Sequence, residues 1–171
     1  MKISESGVIL SIPQLRLCMK LLDCPQWNDL PLIATEEPPE QRIMNAFLGI
    51  VQAGWLCSTP EGYVFESDFR DLMLRIGRAE RRYLLFDGDQ ILSLLYECHG
   101  SVVAVMPDWG NRDHCKVLPC IADVVDDAAR ILAPERNGLI LQQQNDTDAI
   151  SERHSMEQFG FFFGLRMEET E

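Results

Sequence analysis

Four apolar segments follow one another between Tyr83 and Cys120, and only short turns separate them. In the printed sequence they read YLLF, ILSLLYEC, SVVAVMP and HCKVLPC, and each intervening turn contains glycine. Antiparallel strands can be joined by such short turns, whereas parallel strands need a crossover of a dozen or more residues. The segment therefore predicts a central antiparallel sheet built from residues 83 to 120.

Four further segments carry apolar residues at the three- and four-residue spacing of an amphipathic helix. They cover about residues 13–22, 40–53, 68–81 and 122–133. Ser11 and Gln14 have the spacing of a capping box in front of the first helix, and Ser67 is the expected N-cap of the third. The sequence GVIL at residues 7–10 predicts a short strand. Together these patterns predict an α+β fold in which helices flank the central antiparallel sheet.

The domain organisation follows from the distribution of apolar residues along the chain. A chain of 171 residues that is 46% hydrophobic can bury a core in one domain. We expect a single α+β domain over residues 1–135. Residues 136–158 are polar apart from a short apolar run and predict a linker, and residues 159–171 form an apolar and then acidic C-terminal tail.

Composition excludes several classes of function. The formal net charge is −12, so an acidic surface would repel a phosphate backbone and no nucleic-acid partner is expected. No stretch approaches the roughly 18 apolar residues of a membrane span, and the short N-terminal apolar run is broken by Pro13, which argues against a signal peptide. The six cysteines lie largely in apolar or amphipathic runs, as is typical of reduced thiols. We therefore expect a cytoplasmic protein without membrane attachment.

The first three predicted helices and residues 54–65 outline a winged-helix-like N-terminal part, in which residues 54–65 are the wing. In chain order this wing precedes the third helix instead of following a recognition helix. Arg75, Arg78 and Arg82 share one face of that predicted helix, although Glu80 interrupts them. A winged-helix transcription regulator is therefore an alternative that the acidic surroundings disfavour.

Cysteine and histidine side chains concentrate between residues 98 and 120, and this raises the question of a metal site or a catalytic thiol. These residues are Cys98, His99, His114, Cys115 and Cys120. If residues 101–107 pair with residues 114–120 around a turn near residues 110–111, Met106 lies opposite Cys115. His99 and His114 are then about 23 Å apart along the strands and cannot bind one ion.

The neighbouring pair His114 and Cys115 does not favour catalysis either, because adjacent strand residues face opposite ways. Cys98, His99 and Cys120 can still cluster at the far end of the hairpin, but they lack the spacing of a typical zinc site. We expect no catalytic residue, no metal site and no cofactor. A small cysteine-dependent or metal-dependent enzyme remains the alternative.

Two segments resemble the EspG-like chaperones of type VII secretion. Gly54-Trp55-Leu56 and Tyr63-Val64-Phe65 match the wing pattern of that family. Ala104-Val105, Val117-Leu118-Pro119 and a helix that ends at Pro134 match its hairpin-and-helix pattern. The resemblance covers about residues 7–135. It implies an α+β fold and a non-catalytic cytosolic protein that shields a hydrophobic patch on a secretion substrate. The chain is shorter than the family's two-half architecture, which suggests either a single half that dimerises or a distant relative with another role.

The functional hypothesis from the sequence is protein binding without catalysis, as an adaptor or chaperone for a secreted partner, for which a helical substrate is the expectation. The residues expected to bind the partner are aromatic: Trp109, Phe159, Phe161, Phe162 and Phe163. Trp109 belongs to the turn of the predicted hairpin, and the phenylalanines belong to the tail sequence FGFFFGL. The tail either returns to the domain's own sheet or adds to the sheet of a partner or of a second copy, and in the last case the protein is a homodimer.

Overall fold

A computed structural model describes residues 3–24, 39–87, 90–108, 114–134 and 139–144 of the chain. Its helices and strands are, in chain order, β1 (Val8–Ser11), α1 (Ile12–Leu21), α2 (Pro39–Gln52), β2 (Leu56–Thr59), β3 (Gly62–Phe65), α3 (Ser67–Gly77), β4 (Arg81–Asp87), β5 (Gln90–Cys98), β6 (Ser101–Pro107), β7 (His114–Ala122), α4 (Val125–Leu132) and β8 (Leu139–Gln144).

The α+β fold class and its antiparallel sheet are confirmed. Six of the described strands form one sheet in the order β1-β7-β6-β5-β4-β8, and every pair of neighbours is antiparallel. Strands β4 to β7 are a meander in which each strand lies beside the next, because short turns connect them. Strands β2 and β3 form a separate hairpin.

Three helices lie on the side of the sheet where the larger hydrophobic core is found. Alternate strand residues point into this core because the side-chain period of a strand is two. From the sheet it contains Val8, Leu10, Leu84, Phe86, Leu94, Tyr96, Val103, Val105, Cys115 and Val117. Helices α1 and α3 contribute Ile12, Leu15, Cys18, Met19, Phe69, Leu72, Met73 and Ile76. Helix α2 packs on α1 and on β2 and contributes Ile50, so it forms the outer layer on this side.

The other face of the sheet carries a smaller core under α4. Leu85, Leu95, Val102 and Ala104 pack with Ala128 and Ala129 of the helix. The sequence predicts Val124, Val125, Ala128, Ile131 and Leu132 on the inner face of this helix. Val125, Ala128 and Leu132 do pack on the smaller core, whereas Val124 and Ile131 are 49% and 57% exposed. The helix begins at Val125, about three residues later than predicted.

The start of the chain folds as its sequence predicts. The Ser11 N–H donates to Oε1 of Gln14 at 2.8 Å, and the Gln14 N–H donates to Oγ of Ser11 at 3.2 Å. This capping box satisfies two donors that the helix itself leaves unpaired. Just before β1, Gly7 has a φ of +85°, and a Cβ added there would overlap the carbonyl oxygen of Val117. Glycine at this position therefore allows β1 to lie closely against β7.

The segment predicted as a linker begins with a strand. Residues 139–144 form β8, which pairs with β4 through Leu139↔Asp87 to Gln144↔Arg82. Three apolar residues followed by three glutamines do not distinguish a strand from a loop until a partner strand is known. The domain therefore extends at least to Gln144, beyond the predicted boundary at 135. Residues 145–171, which include the rest of the predicted linker and the tail, lie outside the described residues.

The start of α3 differs by one residue from the prediction. Glu66, and not Ser67, is the N-cap, because its Oε2 accepts a hydrogen bond from the Phe69 N–H at 2.9 Å. This bond lowers the pKa of the Glu66 carboxyl group, since it stabilises the charged form. The carboxylate also suits the positive end of the helix dipole.

The C-terminal end of α3 differs from the predicted end by four residues. The helix stops at Gly77, and Arg82 belongs to β4. At Gly77 an added Cβ would overlap Sγ of Cys24, so the small residue permits close packing at the helix end. The expected arginine face of Arg75, Arg78 and Arg82 on one helix is therefore wrong, and the winged-helix character of the N-terminal part is not confirmed.

The pairing of β6 with β7 is shifted by one residue from the predicted register. Met106 lies opposite Lys116, and Pro107 lies opposite Cys115. The register shifts again between Val102 and Ala104, as at a β-bulge. The connection of six residues between the strands fixes the register less tightly than a two-residue turn does, so the sequence did not determine the exact pairing.

Candidate protein-binding surface

Cys98 and His99 lie at the turn between β5 and β6. Cys98 is buried, and its Sγ lies 4.0 Å from the carbonyl oxygen of Arg78. Burial raises the pKa of the Cys98 thiol. His99 has a φ of +50°, and its Nδ1 lies 3.1 Å from Oε1 of Glu80 on the surface. The His99 imidazole thus contacts the Glu80 carboxylate. The Cys98 thiol is protonated at neutral pH and is therefore weakly nucleophilic.

The remaining candidates for chemistry are also separated. His114 pairs with Ser11 at the opposite end of the strands from His99, as expected. Cys115 points into the larger core, where burial raises the pKa of its thiol to about 12. Within the described ranges no group of three His, Cys, Asp or Glu side chains could hold a metal ion.

The aromatic residues expected to bind a partner fall outside the described part of the chain. They are Trp109, Phe159, Phe161, Phe162 and Phe163. Their role as partner-binding residues stays a prediction.

An exposed apolar surface is found instead on α2 and the adjoining β2–β3 hairpin. Ile43, Met44 and Leu48 are 52%, 52% and 46% exposed, and Tyr63 of the hairpin is 53% exposed. The Tyr63 ring packs edge-on against half-buried Phe47, with the ring centroids 5.0 Å apart. We call these five side chains, Ile43, Met44, Phe47, Leu48 and Tyr63, the α2–hairpin patch. Val64, on the opposite face of the hairpin from Tyr63, is also exposed, and further exposed apolar residues, such as Ile9 and Ile131, lie on other elements.

The patch exists because α2 is apolar over more of its circumference than one contact can bury. On a helical wheel with 100° per residue, the apolar residues of α2 cover an arc of about 200°, with Ala46 at one edge of the arc and Leu48 at the other. A helix that packs on one neighbour needs an apolar stripe of roughly 100°. Ala46 and Ile50 supply that stripe and are buried at 5% and 0% exposure. In the rest of the arc, Phe47 and Val51 are partly buried against the core, whereas Ile43, Met44 and Leu48 are about half exposed.

The hairpin is held in place beside α2 by aromatic contacts with α3. The Trp55 ring stacks on Phe69 with centroids 4.9 Å apart, and Phe65 lies 6.0 Å from the same ring. Leu56 and Phe65 are opposite each other in the ladder, as are Ser58 and Tyr63, so these four side chains share one face of the hairpin. Anchoring of Leu56 and Phe65 in the core therefore turns Tyr63 toward α2.

The exposed charged side chains of α2 and of the β2–β3 hairpin are carboxylates. Exposed Glu40 follows Pro39 at the start of α2, and exposed Glu61 lies in the turn of the hairpin. Arg42 is the basic residue between positions 39 and 66. Burial, followed by the positive charge of Arg42, lowers the pKa of Arg16 on α1. Arg42 therefore lies on the α1 side of α2, away from the patch.

The sequence contains a signal for this surface, although the apolar residues of α2 were interpreted only as the mark of a helix. On a helical wheel with Ile43 at 0°, these residues lie in one arc that runs from about 300° through 0° to about 140°. This arc is wider than one neighbouring helix can cover. Which part of the arc faces the core depends on the position of α1, and the local sequence does not contain that information.

No helix in the described part of the chain is both long and apolar enough to cross a membrane. In comparisons with known proteins, the chain matches no protein-family model, no curated protein and no solved structure.

Proposed function

We propose that this protein is a non-catalytic adaptor or chaperone of the cytoplasm, which binds another protein through the α2–hairpin patch. The observation that carries the proposal is the patch itself. Scattered exposed apolar side chains are ordinary, but a contiguous patch on a helix commonly marks an interaction site. The buried and protonated thiol of Cys98 adds support, because it disfavours cysteine-dependent catalysis at the β5–β6 turn.

The size of the patch suits a reversible interaction. Full burial of one large apolar side chain contributes about 1.5–3 kcal/mol. Ile43, Met44, Leu48 and Tyr63 are each about half exposed, so covering them would contribute about 3–6 kcal/mol. A similar contribution from the partner brings the gain into the range of the association cost of about 4–15 kcal/mol. Binding through the patch alone would therefore be weak enough to release the partner, as an adaptor or chaperone requires.

The resemblance to EspG-like chaperones suggests the kind of partner. A chaperone of that family shields a hydrophobic patch on a protein that is to be secreted. An apolar surface with carboxylates at its margin is compatible with this role. We therefore propose a type VII secretion substrate as the partner.

The proposal can be tested with one patch variant and one matched control. Met44→Glu introduces a charge into the patch, and Ile131→Glu introduces the same charge at an equally exposed apolar residue of α4 on the other face of the sheet. Both variants and the wild type would be expressed in the native host with a proximity-labelling tag, and the labelled proteins would be quantified by mass spectrometry. We expect a small set of proteins labelled by the wild type and by Ile131→Glu but lost with Met44→Glu.

The same labelling result decides whether the partner is a secretion substrate, since secreted proteins should dominate the lost set. If Met44→Glu labels the same proteins as the wild type while both fold, the patch does not bind a partner and the proposal is wrong.

A further inference from the structure

We infer that the α2–hairpin patch receives the apolar face of an amphipathic helix whose flanks carry lysine or arginine. This inference rests on the proposed function, because it specifies the chemistry of the partner at the same surface. Two properties of the patch carry it: the linear arrangement of its apolar side chains, and the sign of the charges beside them.

The apolar side chains of α2 form two parallel rows. Ile43 and Phe47 are four residues apart, as are Met44 and Leu48, so each row runs along the helix axis. Such rows are the ridges that a second helix packs against, with its own side chains in the grooves between them. The rows extend from Ile43 to Leu48, about 7.5 Å along the axis of the 14-residue helix, and so provide one short segment of helix–helix contact.

The hairpin would contact one side of the partner helix. The Tyr63 ring packs edge-on against Phe47 and lies beside the apolar rows of α2. Its exposed face can pack against the apolar side of an incoming helix, while its hydroxyl group remains in water. The partner therefore lies along α2 and touches the hairpin on one flank.

The charges select a basic partner. Glu40 lies at an angle of about 60° from Ile43 on the helical wheel, which is within the exposed sector at its N-terminal end. Glu61 lies in the hairpin turn. Arg42, the basic residue of this region, lies on the side of Arg16. Lysine or arginine beside the apolar face of a partner would meet these carboxylates, and the net charge of −12 would attract such a partner from a distance.

A second copy of this chain fits the same surface less well. Two patches related by a two-fold axis would bring Glu40 and Glu61 of each copy into one interface, where like charges oppose association. An acidic amphipathic helix meets the same repulsion. Binding of either one at the patch would overturn the inference.

The test uses two synthetic helical peptides of about 18 residues, roughly 27 Å long as helices. Both have the same leucine face, and their flanks carry lysine in one peptide and glutamate in the other. Binding to the full-length protein would be measured by fluorescence anisotropy at low and at physiological ionic strength. We expect the lysine peptide to bind more tightly by roughly twofold to thirtyfold, the range of two exposed ion pairs, with a preference that decreases as salt increases.

Variants separate the patch from the general attraction of an acidic chain. Glu40→Lys combined with Glu61→Lys changes the net charge by four units at the patch. Glu5→Lys combined with Asp123→Lys makes the same change at exposed residues elsewhere. We expect the patch pair to abolish the preference for the lysine peptide and the control pair to retain most of it. Leu48→Ser should weaken binding of the lysine peptide by about tenfold, while Ile131→Ser should not.

Three results would overturn the inference. The first is an equal loss of preference in the two charge-reversed proteins, and the second is binding that Leu48→Ser does not weaken. The third is a wild-type dimer in sedimentation velocity that Leu48→Ser dissociates, because a second copy would then occupy the patch. If Met44→Glu loses its partners in cells but no lysine preference is found, only this inference fails and the proposed function stands. If neither peptide binds and no partner is lost, both fail.

Discussion

Helices α1 and α2 pack against each other, yet they use their apolar side chains in different ways. Ile12, Leu15 and Met19 of α1 are at most 1% exposed. Ile43 and Met44 of α2 are each 52% exposed. These three residues of α1 lie between the sheet and the neighbouring helices, and only Leu21 at the end of α1 is an exposed large apolar residue of this helix, whereas α2 forms an outer layer that covers α1 with one sector only. The difference shows that an apolar helix contributes to the core or to a surface according to its layer in the fold.

Methionine occurs in both helices, and the pair Met19 and Met44 gives the largest expected contrast. Met19→Ala should lower the free energy of unfolding by about 2–5 kcal/mol, because it removes a fully buried side chain and leaves a cavity. Met44→Ala should change it by no more than about 0.5 kcal/mol, since the site is half exposed. Urea denaturation of the two variants and the wild type measures both values. Equal destabilisation by the two substitutions would show that α2 is covered in the free protein.

The buried thiols of the core make the free energy of unfolding depend on pH, which the exposed aliphatic side chains of the patch do not. Burial raises the pKa of Cys18 on α1 and of Cys115 on β7 from 9.0 to about 12. Below pH 9 both thiols are protonated in the folded and in the unfolded chain, so their contribution to stability is intact. Between pH 9 and 12 the unfolded chain loses these protons first, and stability should fall by about 1.4 kcal/mol per pH unit for each thiol.

Urea denaturation at a series of pH values from 8 to 10.5 tests this dependence. Cys18→Ala should show a shallower fall than the wild type, because one of the two thiols no longer titrates. Met19→Ala, which is adjacent and also destabilised but retains both thiols, should keep the steeper fall. Parallel curves for all three proteins would show that the Cys18 thiol does not remain protonated in the fold.

The smallest expected effect concerns how α1 begins. Ser11→Ala removes the hydroxyl acceptor of the capping box and should cost about 0.5–2 kcal/mol. Ser67→Ala is the matched control, since Glu66 caps α3 and the exposed Ser67 side chain is not needed there. Thermal or urea denaturation would measure both. A larger loss at Ser67 than at Ser11 would contradict the assignment of the two caps.

Local sequence predicted those parts of the fold that depend on local contacts. The spacing of Ser11 and Gln14 indicated the start of α1, and the apolar period of α2 gave its limits to within one residue. The order of strands β4 to β7 followed from their short turns. By contrast, β8 became a strand because β4 offers it a pairing edge, and the register of Met106 with Lys116 depends on the turn and on a bulge. These outcomes depend on distant residues, so the local pattern could not determine them.

The α2–hairpin patch was not predicted from the sequence, for the same reason. The predicted binding residues are Trp109, at the turn of the hairpin, and the phenylalanines of the tail, which form an apolar run that should be covered, and their role stays a prediction. The exposed patch on α2 became visible only when the positions of α1 and of the hairpin were known. Tyr63, for example, was assigned to a hairpin, but its contact with Phe47 joins two elements that no sequence period connects.

Strand β1 has a consequence for the synthesis of this protein. Its partner β7 comes late in the chain, since Val8 pairs with Val117, 109 residues further on. At about 5–20 residues per second, a ribosome needs roughly 5–20 s between making the two residues. Because non-local pairing is also slow to form, the apolar face of β1 stays without its partner strand throughout this interval, although α2 and α3, which pack on α1, are made earlier. Until β7 leaves the ribosome, the nascent chain therefore exposes an unpaired, apolar strand, which is a hazard for aggregation.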